Sequence, residues 1–593
     1  MIKYLKNSNW LRFDLCGLAA ALFLWIPCVC GSNIADLFKA ADDSGYVIGA
    51  SGKPELFAAV KSSGQQKNMK ILNGKGVCNA LWYGGIPRLL IKLTVNGAFA
   101  ADWIDGSGNT KRIYVCDPGD IFLPLTFIND GSAFYAFSNR QSEFVRLVKI
   151  SCADGQERII HTDPEKKVDA AGVLCSGKIN VKLHGVYYVD DGIRYYFFDE
   201  EFATMHKLLV AKLPVGDILW DSGSDNGRQW IIKLLRDSMP AAYYYFNFDT
   251  GELRLLPDKG SALIKAGQSA SVQPISYKSR DGTVLHGYLT IPAGSNGRQL
   301  PVVVFVHGGP ASRVFRWFDP RVQALAAGGY AVFQPNYRGS RGFGKHYMTA
   351  GWKTWGTGTL QNDITDGVRH LINNGVAHPG KIAIMGGSFG GYCALAGLAF
   401  TPELYACGID IFGMSDLVCY LREIQDEQKP LQPLDQVMCG DINNPSDLSR
   451  LKSQSPINFA DKIRAPLFIY HGAKDTLINP SHSERMVQLL RSRNAEIEYY
   501  LNPNEEHGFS TLDAETKMYY AILHFLDKYI MLTGIRLKRM SHENQKFMYA
   551  SVPFNFFTAS ARLGCPQVVV ALPNDVKNRI PNYELFINED NRN

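Results

Sequence analysis

The first half of the chain alternates short apolar runs with polar turns. Between about residues 44 and 266, runs rich in aromatic and β-branched residues, such as 89–93, 133–137 and 243–246, are separated by turns of Gly, Asp and Asn. Strands of this length at this spacing are typical of an all-β domain. The unit repeats about every 40 residues, roughly five times, which matches a four-stranded propeller blade. The pattern predicts a β-propeller-like domain over residues 33–268, with a β-sandwich carrying insertions as the alternative.

From about residue 270 the pattern changes to near-continuous apolar runs that alternate with helical stretches. Such runs suit strands buried on both faces of a parallel sheet, and their alternation with helices builds a doubly wound α/β domain. The predicted strands cover residues 302–306, 330–333, 381–385 and 467–470, and the predicted helices cover residues 362–374, 390–400 and 481–491. We expect this domain, with a mostly parallel sheet, to occupy residues 269–532 and to be followed by an extension of unknown role, residues 533–593.

The N-terminus has the three parts of a secretory signal peptide. Lys3, Lys6 and Arg12 precede an apolar run over residues 15–26, and small or short residues follow it. The run is short for a transmembrane helix, which needs about 20 apolar residues. Residues 1–32 are therefore predicted to be a signal peptide, with export to the periplasm or the medium after cleavage. The alternative is an uncleaved segment that anchors the protein in a membrane.

Composition excludes several classes of site. The 593 residues carry a formal net charge of only +6 and no run of Lys and Arg, which gives no support to a nucleic-acid groove. Of the 12 cysteines, three lie in the leader segment and the others are scattered without a Cys-x-x-Cys pair. Neither a zinc site nor a dense disulfide framework is supported. We expect no metal and no cofactor.

A Gly-x-Ser-x-Gly motif lies between a predicted strand and a predicted helix. It reads Gly386-Gly387-Ser388-Phe389-Gly390-Gly391. The strand-to-helix turn of such a motif is so tight that glycines are needed where a Cβ would collide, and the turn lifts the serine hydroxyl above the sheet. The helix that begins there directs its N-terminal amides toward a developing oxyanion. The motif therefore predicts Ser388 as a nucleophile, held by Gly386, Gly387, Gly390 and Gly391.

A serine nucleophile needs a histidine base, and the base needs an acid that orients it. When the serine lies on a turn of this kind, both follow it on loops after later strands, with the acid first. Asp475 follows the strand 467–470, and His507 follows a strand predicted over residues 496–501. We therefore predict Asp475 and His507 as the acid and the base. Core, solvent-exposed or structural roles are expected for the other downstream histidines, His471, His482 and His524.

The tetrahedral intermediate of acyl transfer needs two hydrogen-bond donors. The backbone amide of Phe389, directly after the serine, offers one. The loop after the third strand reads His307-Gly308-Gly309-Pro310, and glycines there let the backbone approach the oxyanion. Proline has no amide to donate. Gly309 is therefore the predicted second donor.

Five motifs in this order resemble the catalytic domain of the prolyl oligopeptidase family, in particular its acylaminoacyl-peptidase-like secreted bacterial members. The resemblance extends over about residues 274–529. The motifs are HGGP (307–310), NYRGSRGFG (336–344), GGSFGG (386–391), HGAKD (471–475) and HGF (507–509). The resemblance implies an α/β-hydrolase fold for the C-terminal domain, a β-propeller before it, and serine peptidase activity with Ser388, Asp475 and His507 as the triad.

Several features depart from the family pattern. The sequence contains roughly five repeats, whereas the propellers of the family usually have seven blades. Phe389 replaces a tyrosine that is common after the nucleophile, in what is expected to be a pocket wall, and Leu477 replaces an asparagine of the dipeptidyl-peptidase members. Those members also hold a free N-terminus with paired propeller glutamates. The pair Glu200-Glu201 is expected here to be a solvated acidic turn instead.

The leading hypothesis is an exported serine peptidase that hydrolyses short peptides through a covalent acyl-enzyme, with the propeller restricting access to short, flexible chains. A carboxylesterase acting on small acyl esters would use the same triad. The third hypothesis is a catalytically inert protein whose propeller binds a partner, and the complete set of catalytic groups argues against it. Short peptides are the expected partners, nucleic acid and metals are not, and the formation of a homo-oligomer is left open.

Overall fold

The computed structural model describes residues 59–62, 65–68, 77–83, 86–177, 181–256, 269–426 and 432–531. The predicted signal peptide (1–32) and the predicted C-terminal extension (533–593) lie outside these residues. Within the described residues, no helix combines the length and the apolar character needed to cross a membrane.

Antiparallel meanders make up the N-terminal domain. The strands are β1 (Ala59–Ser62), β2 (Gln65–Asn68), β3 (Val77–Tyr83), β4 (Ile86–Leu93), β5 (Phe99–Ile104), β6 (Thr110–Val115), β7 (Phe122–Phe127), β8 (Ala133–Ser138), β9 (Arg146–Ser151), β10 (Glu157–His161), β11 (Ala170–Ser176), β12 (Lys182–Val189), β13 (Ile193–Phe197), β14 (Asp217–Gly223), β15 (Gln229–Leu235), β16 (Ala242–Asn247) and β17 (Leu253–Leu255). Helix α1 (Glu200–Lys212) lies between β13 and β14.

Strands that follow one another along the chain pair with one another in this domain. In the described part of the chain, β3–β6, β7–β10 and β14–β17 form four-stranded sheets, β11–β13 form a three-stranded sheet, and β1 pairs with β2. Each of the larger sheets is the meander of a propeller blade. Alternate side chains along these strands point into the interior of the domain. In β15, for example, Trp230, Ile232 and Leu234 are buried and the residues between them are partly exposed.

An eight-stranded mixed sheet forms the α/β domain. Its strands are β18 (Val272–Lys278), β19 (Val284–Thr290), β20 (Leu300–Val306), β21 (Ala331–Asn336), β22 (Ala377–Gly387), β23 (Cys407–Ile411), β24 (Leu467–Gly472) and β25 (Ile497–Asn502). The helices are α2 (Pro320–Ala327), α3 (Lys345–Thr349), α4 (Thr359–Asn373), α5 (Phe389–Phe400), α6 (Leu417–Asp426), α7 (Gln432–Met438), α8 (Pro445–Gln454), α9 (Ser481–Ser492) and α10 (Leu512–Tyr529), with a 3₁₀ helix over Pro456–Lys462.

The strand order is β18-β19-β21-β20-β22-β23-β24-β25. The pairs β18/β19 and β19/β21 are antiparallel, and the remaining pairs are parallel. All seven residues of β20 are buried, as expected for a strand covered by helices on both faces of the sheet. This is the predicted doubly wound, mostly parallel sheet. The carboxyl ends of its parallel strands lie along one edge, where sites of this architecture form.

Side chains of the α/β domain reach carbonyl and carboxylate groups of the strand domain. The Arg313 guanidinium donates to the carbonyl oxygens of Val189 at 2.9 Å and Asp190 at 3.3 Å. The indole nitrogen of Trp317 donates to the Asp217 carboxylate at 2.9 Å. These hydrogen bonds hold the strand domain against the loop that follows β20.

Two details of the strand domain differ from the sequence-based expectation. Cys175 of β11 is disulfide-bonded, which the scattered cysteines did not predict. Glu200 and Glu201 are exposed, as expected, but they begin helix α1 rather than form a turn. The Glu201 carboxylate lies 2.9 Å from the guanidinium of Arg228, so this carboxylate is paired.

Candidate active site

Ser388 lies between β22 and α5 in a backbone conformation that residues other than glycine rarely adopt. Its φ is +58° and its ψ is −121°. Its amide donates to the carbonyl oxygen of Ile411, at the end of the neighbouring strand β23, at 2.9 Å. Strained backbone of this kind is retained where the surrounding structure fixes it, and such positions cluster at functional sites. The strand-to-helix turn predicted for the motif is therefore present, with the serine at its apex.

At three of the four glycines of the motif, a Cβ would collide with a neighbouring atom. A Cβ at Gly390 would lie 2.2 Å from the carbonyl oxygen of Val306, and one at Gly386 would lie 2.5 Å from the backbone of Gly390. A Cβ at Gly391 would lie 2.3 Å from a carboxylate oxygen of Asp410. At Gly387 the nearest atom, on the Phe412 ring, would be 3.3 Å away, so this position is tight rather than closed.

Asp475 and His507 form a direct hydrogen bond. Nδ1 of His507 lies 2.7 Å from Oδ2 of Asp475. Asp475 is buried, and its Oδ1 accepts the backbone amides of Leu477 and Ile478. Burial alone would raise the pKa of Asp475, but hydrogen bonds from His471 and His507 outweigh it and hold the pKa of this carboxyl well below its ordinary range. Asp475 is therefore an anion at neutral pH and fixes the proton of His507 on Nδ1.

Phe412 contacts both halves of the site. Its ring centroid lies 4.7 Å from that of the His507 imidazole, and the same ring borders Gly387 beside Ser388. Its φ of +45° is strained for a non-glycine residue. Phe412 follows β23 directly, so the strand order brings its ring between the serine turn and the histidine loop. The sequence carried no signal for this residue.

The loop after β20 lies against the serine turn. A Cβ at Gly308 would be 3.5 Å from the Cβ of Ser388. Gly309 has a φ of +130°, and a Cβ there would be 2.8 Å from the amide nitrogens of Ala311 and Ser312, so the position requires glycine. Gly309 thus lies in a loop that contacts the nucleophile turn, as its predicted role requires.

His307 fixes the conformation of that loop. Burial lowers the pKa of His307 to about 4, against the smaller opposing effect of the Gly308 carbonyl. The neutral ring donates from Nδ1 to the Gly308 carbonyl oxygen at 2.8 Å and accepts at Nε2 from the Ser340 hydroxyl at 2.9 Å. Tyr337 stacks on the ring and donates its hydroxyl to the His307 carbonyl oxygen at 2.9 Å. The HGGP motif was the signal for this residue, which sequence reasoning did not single out.

Phe389 differs from its expected environment. Its amide lies in the first turn of α5, where helix amides lack an intrahelical acceptor, as the predicted donor role requires. Its side chain, however, is 1 % exposed and packs on Trp355, Tyr392 and Tyr337. The expectation that this ring forms a pocket wall is wrong, because the chain direction at the start of α5 turns the side chain into the core.

Among the described residues, Cys419, Glu423 and His482 bring three metal-ligand atoms within 4.8 Å of one another. Nδ1 of His482 accepts the Ser415 amide at 3.4 Å, which leaves the proton of the neutral ring on Nε2. Nε2 lies 3.5 Å from Glu423, which also accepts from the Cys419 thiol at 3.4 Å. With a proton on Nε2 the ring offers no lone pair from that atom, and Nε2 makes no hydrogen bond among the described residues.

Comparison with known proteins gives a family and several named relatives. Residues 316–533 match the model of the prolyl oligopeptidase family. The chain is 32% identical over 411 residues to dipeptidyl aminopeptidase BIII of Pseudoxanthomonas mexicana, a match that covers 68% of this chain and 57% of that protein. It is 28% identical over 415 residues to dipeptidyl peptidase family member 6 of Caenorhabditis elegans, covering 66% and 55%. The chain thus spans little more than half the length of these relatives.

Solved structures extend the likeness to the fold of both domains. A puromycin-hydrolyzing peptidase of Mycobacterium tuberculosis superimposes with a TM-score of 0.64 at 19% identity, covering 82% of this chain and 78% of that one. An acylaminoacyl peptidase of Pyrococcus horikoshii gives a TM-score of 0.60 at 19% identity, covering 82% and 75%. The prediction of a propeller followed by an α/β-hydrolase domain is confirmed. The α/β domain of this chain belongs to the prolyl oligopeptidase family.

Proposed function

We propose that the chain is a serine peptidase that hydrolyses short peptides through a covalent acyl-enzyme. The observation that carries the proposal is the 2.7 Å pairing of His507 with the Asp475 carboxylate beside the turn that presents Ser388. Asp475 holds the proton of the imidazole on Nδ1, which leaves the lone pair of Nε2 to accept the serine proton. Membership of the prolyl oligopeptidase family supports the same chemistry.

The reaction runs in two halves. Oγ of Ser388 attacks the carbonyl carbon of the scissile bond while its proton passes to Nε2 of His507, and the amides of Gly309 and Phe389 donate to the oxyanion. His507 then protonates the leaving amine, and an acyl group remains on Ser388. Water, deprotonated by His507, attacks the acyl carbon, so the carboxylic acid leaves and the serine is restored.

The strand domain supports short peptides as substrates, because it is seated against the loop that carries Gly309 through the contacts of Arg313 with Val189 and Asp190. On this proposal the strand domain restricts access to Ser388 to short, flexible chains. The matched relatives carry the names dipeptidyl aminopeptidase and dipeptidyl peptidase, which also favours peptides over simple esters.

Export is the proposed location. The basic head and apolar run of residues 1–32 support it. The disulfide of Cys175 supports it independently, since disulfides persist in oxidising compartments and are rare in the cytosol.

The test is a comparison of wild type with Ser388→Ala, using the exposed serine change Ser446→Ala as the matched control. We expect Ser388→Ala to lose labelling by a fluorophosphonate and at least about 10⁴-fold in peptide turnover, while Ser446→Ala keeps both. A panel of dipeptide amides, acyl-amino-acid amides, longer peptides and simple esters then defines the substrate. Turnover of esters alone would favour the carboxylesterase, and a wild-type protein without labelling or turnover would favour the inert binding protein.

A further inference from the structure

The acid of the proposed triad lies on a loop, not on a strand. Asp475 follows β24 by three residues, and α9 begins at Ser481. Its Oδ1 is held by the amides of Leu477 and Ile478, both at 2.9 Å. Its Oδ2 accepts from His507, and a further contact to this oxygen would help to keep the carboxylate plane directed at Nδ1 of His507.

A second imidazole supplies that contact. Nε2 of His471 lies 3.2 Å from the same Oδ2 of Asp475 and 2.9 Å from the carbonyl oxygen of Ile478. Both partners are acceptors, so Nε2 carries a proton and shares it between them. Nδ1 of His471 lies 2.7 Å from the Ser483 hydroxyl, which donates to it when the ring is neutral. The tautomer of His471 is thus fixed by its contacts on both sides.

His471 joins three elements at one point. It belongs to β24, its Nε2 reaches the loop of Asp475, and its Nδ1 reaches Ser483 on α9. The ring is completely buried. The titratable groups that face it are Asp475, from the loop that follows β24, and Asp410, from the adjacent strand β23. A buried imidazole with acceptors on Nε2 and a donor on Nδ1 cannot rotate without leaving polar groups unpaired.

We infer that His471 is a positioning residue for the proposed reaction, which holds the Asp475 carboxylate so that Oδ2 receives the Nδ1 proton of His507. The inference rests on the proposed function, because it assigns His471 to the support of that triad. His471 does not touch the substrate. Its effect passes through Asp475 to the orientation of His507, so it acts on the chemical step and not on substrate binding.

Two substitutions distinguish the effect of losing the hydrogen bond to Asp475 from the effect of losing the imidazole ring. His471→Leu removes both nitrogens, whereas His471→Gln keeps an N–H donor at nearly the same reach as Nε2. We expect His471→Leu to lower kcat by about 10- to 100-fold with KM changed by less than about twofold, as for a misplaced catalytic group. His471→Gln should recover most of the loss. Ser483→Ala, which frees Nδ1 only, should fall between them.

The matched control is His482→Leu, which removes another fully buried histidine whose contacts run to Ser415 and Glu423. All rates are expressed per site labelled to completion by a fluorophosphonate, so unfolded protein does not count. Equal loss in the His471→Gln and His471→Leu variants, or a kcat of His471→Leu equal to that of wild type, would overturn the inference. A comparable fall of kcat in His482→Leu would overturn it too, since any buried histidine would then have the effect.

A spectroscopic readout separates this inference from the proposed function. The proton shared by His507 Nδ1 and Asp475 should give a downfield proton resonance in the wild-type protein. That resonance should shift or broaden in His471→Leu and return in His471→Gln, whether or not a peptide is turned over. A resonance unchanged in His471→Leu contradicts the positioning role, whereas a wild-type protein that shows the resonance but no Ser388-dependent turnover contradicts only the proposed function.

Discussion

Asp410 makes the pH dependence of stability a quantitative test of the site. This aspartate on β23 is completely buried, its Oδ1 accepts the Gly413 amide at 2.8 Å, and its Oδ2 has no hydrogen-bond partner. Burial raises the pKa of Asp410 to about 7, against the smaller opposing effect of the hydrogen bond from the Gly413 amide. The carboxyl is therefore much harder to ionise in the folded protein than in the unfolded chain.

The direction in which stability changes with pH follows from the order of the folded-state and unfolded-state pKa values of Asp410. The folded state binds the proton of Asp410 more tightly than the unfolded state, whose carboxyl has its ordinary pKa of 3.8. The protonated Asp410 carboxyl therefore contributes its full stabilisation below about pH 4. This contribution falls as the pH rises and is lost above about pH 7. A difference between 3.8 and about 7 corresponds to about 4 kcal/mol.

Asp410→Asn replaces the carboxyl with a neutral group of the same shape that cannot ionise. We expect the free energy of unfolding of this variant, measured relative to wild type by urea titration with circular dichroism, to increase by up to about 4 kcal/mol between about pH 4 and about pH 8. Contributions of other carboxyl groups cancel in this comparison. Asp461→Asn, at an exposed position, should show no such change. A constant difference between Asp410→Asn and wild type across this range would refute the reasoning.

Three further predictions concern the site and the leader. Gly390→Ala should abolish labelling of the serine, because its Cβ would lie 2.2 Å from the carbonyl oxygen of Val306, and retained labelling would contradict the tight turn. His507→Gln should remove turnover, whereas exposed His524→Gln should keep wild-type kcat. An essential His524 would show that the base is misassigned. Mass spectrometry of exported protein should find residues 1–32 absent, and an intact Met1 in a membrane fraction would favour the anchor.

Local backbone requirements are what the sequence predicted well. The turn at Ser388 needs small residues at fixed spacings, so the sequence alone places the motif, the preceding strand and the following helix. The strands and helices of both domains follow from hydrophobic periodicity in the same way, with β22 beginning four residues and α4 three residues before the predicted starts. Asp475 and His507 could be paired in advance because this fold fixes their order along the chain.

Contacts between distant segments were decided by the tertiary structure alone. His471 of β24 faces Asp410 of β23 because these two strands are neighbours in the sheet, and neither the spacing of the two residues nor their types indicates that order. The ring of Phe389 enters the core, and the ring of Phe412 lies between the serine turn and His507, because side-chain direction depends on packing as well as on position. A sequence states which residues can form a strand or a turn. The order in which strands associate is set by burial of their faces, and that order decides which side chains meet.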